Sequence, residues 1–183
     1  MVKLYKNFNI KNIHKNSIIL IGNFDGVHLG HQKLFKLANS YKKKYKLKIG
    51  VVNFDPMPKM FFNKSLKNFR ITSINQKVNL LSKLKVDFII TKKFDKLFSK
   101  TKSVNFIKEI LNKKLKSKFI FVSNNFRFGN KREGDVKLLK SLEKKFLYKI
   151  IKPKPLRKKN KIISSTLIRK LLSNGNLDKA NKY

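Results

Sequence analysis

The chain has 183 residues, 41% of them hydrophobic and 16 of them Phe, which is enough apolar material for one domain with a sizeable core. It contains no Cys, so disulfides, thiolate metal sites and cysteine nucleophiles are excluded. Lys and Arg number 46 against 9 Asp and Glu, a formal charge of +37, and a field of that sign attracts phosphorylated small molecules or nucleic acid.

Only Arg70, Arg127, Arg132, Arg157 and Arg169 among those cations are Arg. Sequence-specific base readout leans on the bidentate Arg fork. A Lys excess accompanied by abundant Asn, Ile and Phe therefore points to AT-rich codon usage more than to a nucleic-acid reader. No stretch approaches the roughly 20 uncharged apolar residues of a membrane span. Lys3, Lys6, Lys11 and Lys15 interrupt the first 21 residues, so no signal peptide is expected and a soluble cytoplasmic protein is the default.

The pattern then alternates short apolar runs with helix-period segments. Ser17 to Asn23 reads as a buried strand. Gly30 to Tyr45 follows as a helix with Leu34, Leu37, Ala38, Tyr41 and Tyr45 on one face. Lys48 to Phe54 is a second strand, a loop with Pro56 and Pro58 comes next, and Ile74, Val78, Leu81 and Leu84 mark a second helix. Asp87 to Thr91 is a third strand, and Val104, Ile107, Ile110 and Leu111 a third helix. Phe119 to Ser123, Gly134 to Lys145 and Phe146 to Ile151 continue as strand, helix and strand, and Ser165 to Ser173 is a short last helix. Strands alternating with helices imply right-handed crossovers and an α/β, Rossmann-like fold, a parallel sheet with helices on both faces. Ligands in such folds sit beyond the carboxyl ends of the strands.

The first strand runs out into Gly22-Asn23-Phe24-Asp25-Gly26-Val27-His28-Leu29-Gly30-His31, which holds two of the three His. Glycines let the backbone approach a ligand closely, and the following helix N-terminus offers N–H groups and a positive dipole end to a phosphate. Two imidazoles three residues apart can reach the same anion. No Gly-Lys-Ser/Thr follows, so this is not a P-loop, and the dinucleotide Gly-x-Gly-x-x-Gly fingerprint is absent too. A zinc reading lacks ligands, since only His14 remains. Near the C-terminus, Ile163-Ser164-Ser165-Thr166-Leu167-Ile168-Arg169 offers Ser caps at a helix start and an Arg one turn inside it.

These two segments resemble the paired signatures of the His-x-Gly-His nucleotidyltransferases, and most closely the FMN adenylyltransferase module of bacterial FAD synthetases. The resemblance implies that ATP and FMN, with Mg²⁺ accompanying ATP, are converted to FAD and pyrophosphate by in-line attack of the FMN phosphate on the α-phosphorus. It implies that His28 and His31 are catalytic, stabilising charge on the ATP phosphates. Gly22, Phe24, Asp25, Gly26, Ser164, Ser165, Thr166 and Arg169 would bind ATP.

Two further segments resemble FAD synthetases in particular, Asn53-Phe54-Asp55-Pro56-Met57-Pro58 with Phe61 and Phe62, and Asn124-Asn125-Phe126-Arg127-Phe128-Gly129. By that resemblance Pro56, Pro58, Phe62, Asn125 and Phe128 line the FMN pocket, where aromatic rings can pack on the isoalloxazine. Phe54, Phe61 and Phe126 have a competing reading as ordinary core. Asp25, Asp55 and Asp135 are unranked candidates for Mg²⁺, so the metal ligands stay open. Departures from the family pattern are Met57, where His is common, and Ser123 and Asn124, where Gly and an acid are common; they bear on flavin and metal more than on ATP.

The whole of 1–183 is expected to be the adenylyltransferase domain, without the C-terminal riboflavin kinase domain that bacterial FAD synthetases usually carry. Two rivals stand beside it. One is a nucleotidyltransferase with another phosphorylated acceptor. The other is a basic nucleic-acid binder, suggested by the Phe-Ile-Phe-Val and Phe-Arg-Phe-Gly runs, which would need an antiparallel sheet.

Overall fold

The computed structural model describes residues 2–67, 69–158 and 160–183. Four apolar runs form strands because they can be buried on both faces: β2 (Ile18–Ile21), β3 (Ile49–Asp55), β4 (Phe88–Lys93) and β5 (Phe119–Phe121). With β1 (Lys3–Tyr5) and β8 (Lys149–Ile151) they make a six-stranded sheet in the order β1-β4-β3-β2-β5-β8, every pair parallel. The parallel sheet removes the basis of the nucleic-acid platform reading.

Alternation along each strand sorts the core into two layers. Ile18, Leu20, Ile49, Val51, Ile89 and Phe121 meet Phe35 and Ala38 of α1 (Leu29–Tyr45) and Leu81 of α3 (Ile74–Lys83). Ile19, Ile21, Val52, Phe88, Ile90 and Ile120 face the other way, onto Phe106, Ile107, Ile110, Leu111, Val136 and Leu139.

The chain leaves β2 toward β3 and β4 on one side, then returns to place β5 and β8 on the other. The crevice beyond the carboxyl ends of β2 and β5 is therefore the topological switch point, where open α/β sheets bind ligands. The loops after β2, β3 and β5 all start at that end.

Several elements differ from expectation. The edge strand β1 pairs with β4 through Lys3, Leu4 and Tyr5; it carries no apolar run, and its backbone pairing alone makes it a strand. The short helix α2 (Pro58–Phe62) replaces part of the loop, with Pro58 in its first turn. The third helix is not regular. After α4 (Lys96–Ser99), a turn of α5 (Ser103–Asn105) runs into a π-helix over Phe106–Lys114, where Leu115 N–H donates to the Ile110 carbonyl five residues back at 2.9 Å. Val104 lies outside the core while Phe106 is buried in it. On α1 Ala38 is fully buried and Leu34, Leu37 and Tyr41 pack against the core as expected, but Phe35 is fully buried beside them and Tyr45 is exposed, so the stripe is shifted toward Phe35.

The helix expected over Gly134–Lys145 is split. Gly134–Asp135 forms β7, antiparallel to β6 (Arg127–Phe128), and the Asp135 carboxylate then caps α6 (Val136–Ser141) by accepting the Leu138 N–H at 2.9 Å. In α7 (Glu143–Phe146) the Glu143 carboxylate accepts the Ile150 N–H at 2.7 Å, and Leu147 at φ 54° ends the helix. That left-handed stop is why the last strand begins at Lys149 rather than Phe146. A hairpin of β9 (Arg157–Lys158) and β10 (Lys161–Ile162) leads into α8 (Ser165–Ser173), as expected, and α9 (Leu177–Asn181) follows.

Candidate active site at the strand carboxyl ends

The glycine-rich segment leaves β2 with Gly22 N–H still paired to the Val52 carbonyl at 3.1 Å, then turns sharply, with Phe24 at φ 47° and Gly26 at φ 78°. The turn sends the Phe24 ring inward against Phe35 and under His31, at 5.2 Å in each case. His28 caps α1, its Nδ1 accepting the His31 N–H at 3.3 Å. Neutral His28 therefore carries its proton on Nε2, leaving that N–H free to donate. The two imidazoles stack with centroids 3.6 Å apart. Burial, together with the Arg169 guanidinium, pushes His28 down to about 4 against a weaker upward pull from Asp25. Burial pushes His31 well below its usual value, and the neighbouring His28 and Lys77 charges add to this. Both rings are thus neutral at pH 7.

Asp25 is the hub of the site. Only 2% exposed, it accepts the Ile71 N–H at 3.0 Å and the Thr72 N–H at 3.2 Å, and it pairs with Arg169 at 2.6 Å. Its backbone carbonyl also takes the Ser165 hydroxyl at 2.9 Å. The same guanidinium donates from Nε to the Phe69 carbonyl at 2.8 Å and lies 3.9 Å over the Phe69 ring. Ser164 caps α8 by accepting the Leu167 N–H at 3.2 Å, and Thr166 is exposed on its first turn. A side chain at Gly30 would come 3.2 Å from the Ile163 carbonyl, so a glycine lets the two helix N-termini approach. The Leu29 N–H, at the start of α1, donates to the Tyr183 backbone oxygen at 2.5 Å. Both phosphate-type signatures meet, although Asp25 and Arg169 lie 144 residues apart.

The flavin-type segments join the same end of the sheet through a chain of aromatic contacts. Phe62 and Phe61 touch Phe94, which touches Phe54 and Phe98; Phe98 reaches Phe106, and Phe106 reaches Phe128 and then Phe126. Within it Phe62 is 69% exposed, Phe128 is buried under the π-helix, and Asn125 lies exposed at the tip of its loop. Phe54 and Phe126 pack against the core, as their competing reading had it. The Asp55–Pro56 peptide is cis, and Met57, at the position where the family commonly has His, is buried.

The carboxylates proposed for a metal are already engaged, Asp25 by Arg169, Asp55 by Arg70 and Asp135 by its cap and by Arg127. Among the described residues no three His, Cys, Asp or Glu cluster as a metal cage. Two cavities, of about 680 and 520 Å³, lie at the amino ends of the strands and include several Lys in their linings, so the positive charge is not confined to the site.

Two features escaped the sequence reading. The Asp25–Arg169 pair has no sequence signal, because it depends on tertiary closure. Lys77 had one. At Ile74, Lys77, Val78 and Leu81 the helical stripe of α3 includes a lysine, and Lys77 is only 5% exposed. Burial lowers its pKa, Asp25 and Asp55 raise it and Arg70 lowers it further.

With this geometry in view, comparison with known proteins is direct. The FAD synthetase family model matches residues 10–167. The chain belongs to the FAD synthetase family. It is 47% identical over 169 residues to the bifunctional riboflavin kinase/FMN adenylyltransferase of Buchnera aphidicola subsp. Acyrthosiphon pisum, covering 92% of this chain and 54% of that protein. The Escherichia coli K12 protein of the same name is 34% identical over 160 residues, 87% of this chain and 51% of that one. The chain thus spans about half the length of the curated relatives it matches. Among solved structures, one titled a macrolide-efflux protein from Streptococcus pneumoniae superposes with TM-score 0.84 at 26% identity, over all of this chain and 60% of that one. Pantoate-beta-alanine ligase from Francisella tularensis, at 16% identity and TM-score 0.60 over all of this chain and 77% of its own, shares the fold.

Proposed function

We propose that this member of the FAD synthetase family is an FMN adenylyltransferase, joining FMN to the adenylyl group of MgATP with release of pyrophosphate. Of the two activities in the relatives' names, this is the one whose motifs lie within the chain. One structural observation carries the reading. Three buried side-chain polar atoms lack a hydrogen-bond partner among the described residues, and two of them, Asn23 Oδ1 and His31 Nδ1, belong to the ten-residue His motif. Buried polar atoms are almost always paired, so a pair of orphans in one strand-turn-helix segment supports a polar ligand there.

In the reaction an oxygen of the FMN phosphate attacks the α-phosphorus as its bond to the bridging oxygen breaks, and pyrophosphate leaves. Catalysis is positioning and charge stabilisation, with no covalent intermediate. Neutral His28 donates from its Nε2–H to the negative charge that builds on the transferring group, and the stacked neutral His31 ring holds it in place. Gly22, Phe24, Asp25 and Gly26 shape the nucleotide pocket, Asp25 by holding Arg169 in place. Ser164, Ser165, Thr166 and Arg169 bring the α8 N-terminus and remaining guanidinium donors to the phosphates. Pro56, Pro58, Phe62, Asn125 and Phe128 form the flavin side, with the exposed Phe62 ring available to cover the isoalloxazine. Mg²⁺ arrives on the ATP phosphates, which suits a site whose carboxylates are occupied. Such a reaction belongs in the cytoplasm, and no helix among the described residues is long and apolar enough to cross a membrane.

Incubating the chain with MgATP and FMN and separating the products should yield FAD and pyrophosphate in equal amounts. FAD formation from FMN, with no product from other phosphorylated acceptors or from CTP, is the expected pattern. A folded chain that makes no FAD but adenylylates another acceptor would overturn the assignment.

A further inference from the structure

The charged groups around the two signatures do not balance. Asp25 is paired with Arg169 and Asp55 with Arg70. Each carboxylate at the centre of the site already has its cation. Lys77 is left over. Its side chain is buried on the core-facing side of α3, yet it forms no ion pair or side-chain hydrogen bond among the described residues. Its stem is buried, but Nζ is not among the sealed, unpartnered atoms, so the ammonium stays accessible near Asp25 and Asp55 without a direct partner; a partly desolvated lysine so placed marks a place for an anionic ligand.

Its position says which anion. α3 is docked on the first loop by the strap before it, since Ile71 and Thr72 donate to Asp25 and Gly26 N–H donates to the Thr72 hydroxyl at 3.2 Å. The Arg70 end of that strap is tied to Asp55, in the segment that leads to Pro56 and Phe62. Lys77 thus lies between the nucleotide loop and the start of the flavin-type segment. Arg169 and the α8 N-terminus approach from the other side of Asp25. An adenylyl transfer from one phosphate to another must bring two anions together, and their repulsion has to be offset where they meet.

We infer that Lys77 binds the phosphate of the acceptor, the phosphomonoester of FMN, and holds it against the α-phosphorus of ATP. This role rests on the adenylyl-transfer reading and extends it to a residue outside every motif recognised in the sequence. Lys77 selects phosphorylated flavin over riboflavin and takes no part in binding ATP.

The decisive variant is Lys77→Met, which keeps an unbranched apolar stem and removes the charge, with Lys77→Arg beside it. Flavin binding is measured with FMN and with riboflavin on the unsubstituted chain and both variants, followed by steady-state kinetics in each substrate. A charge-assisted contact to phosphate predicts that Lys77→Met weakens FMN binding and raises its KM by about ten- to a hundredfold. Riboflavin binding and the KM for ATP should stay within about threefold, and Lys77→Arg should recover part of the preference for FMN. The melting temperature of Lys77→Met should hold or rise, because a charge desolvated by burial of its stem has been removed. A Lys77→Met protein that still prefers FMN by the same factor, or whose loss falls on the KM for ATP, overturns the inference while leaving the function intact. No FAD from the unsubstituted chain refutes the function itself, and this role with it.

Discussion

Asp25→Asn in a cycle with Arg169→Met offers a quantitative test of how the site is assembled. Asn keeps an oxygen at the Oδ1 position to accept the Ile71 and Thr72 N–H groups at 3.1 and 3.2 Å but loses the charged Oδ2 that faces Arg169 at 2.6 Å. Breaking a buried ion pair from one side costs about 3–5 kcal/mol. Arg169 is 22% exposed in its side chain, so water screens the orphaned guanidinium and brings the expected loss below that range, to about 2–3 kcal/mol. Arg169→Met alone leaves the carboxylate with three donors from the 71–72 strap, a loss of about 1–2 kcal/mol. The double variant removes both charges together, so it should be no more than about 1 kcal/mol worse than the weaker single, with a coupling of about 1.5 kcal/mol or more. Urea unfolding monitored by circular dichroism reads all four corners. Single-variant losses that add to within about 0.5 kcal/mol would show that Asp25 and Arg169 do not act as a latch, and the account of the hub would be wrong.

Acid should destabilise the fold through the histidines. His28 has a folded pKa of about 4 against 6.5 in a free chain, so the unfolded state binds the proton first as pH falls. The stabilisation is complete above pH 6.5 and disappears progressively toward pH 4, an upper figure of about 3 kcal/mol, with His31 adding in the same direction. Urea midpoints from pH 7 to 4.5 should fall less steeply for His28→Gln, and parallel curves would contradict the neutral buried imidazole. His28→Ala and His31→Ala should each lower kcat by about 10²- to 10³-fold while the fold is retained, as shown by unchanged circular dichroism, and undiminished turnover in both would remove the histidines from the chemistry. Gly129→Ala should cost about 2–4 kcal/mol, since Gly129 sits at φ 78° and an added Cβ would meet the Ser103 backbone at 2.8 Å; an unchanged melting temperature would show that the turn between β6 and β7 adapts.

The central strands, α1 and α8 were legible because their signals are local: apolar runs that can be buried on both faces, and Ser or His at a helix start. The π-helix was not, since Val104, Ile107, Ile110 and Leu111 suit a regular helix, and only packing against the sheet selects the wider turn that buries Phe106. The shifted stripe of α1 has the same origin, because Leu34 and Phe35 are both apolar and the sheet decides between them. Strand β1 lacked any apolar run and exists through its pairing with β4. At the site, the motifs located both segments that meet there, but ion-pair partnership is tertiary information, so Asp25 was legible as an acid and not as the partner of Arg169. Lys77 could have been noticed as a charged residue within the apolar stripe of α3.

The Asp25–Arg169 contact also bears on the order of events during synthesis. The His-bearing loop leaves the ribosome early with its carboxylate in place, but the arginine that completes it follows 144 residues later. The early strands can pair and bury their apolar faces while this mouth of the sheet is still unlatched. The apolar core can thus form before this end of the sheet is closed, and the docking of α8 is the step that brings the two signature segments together.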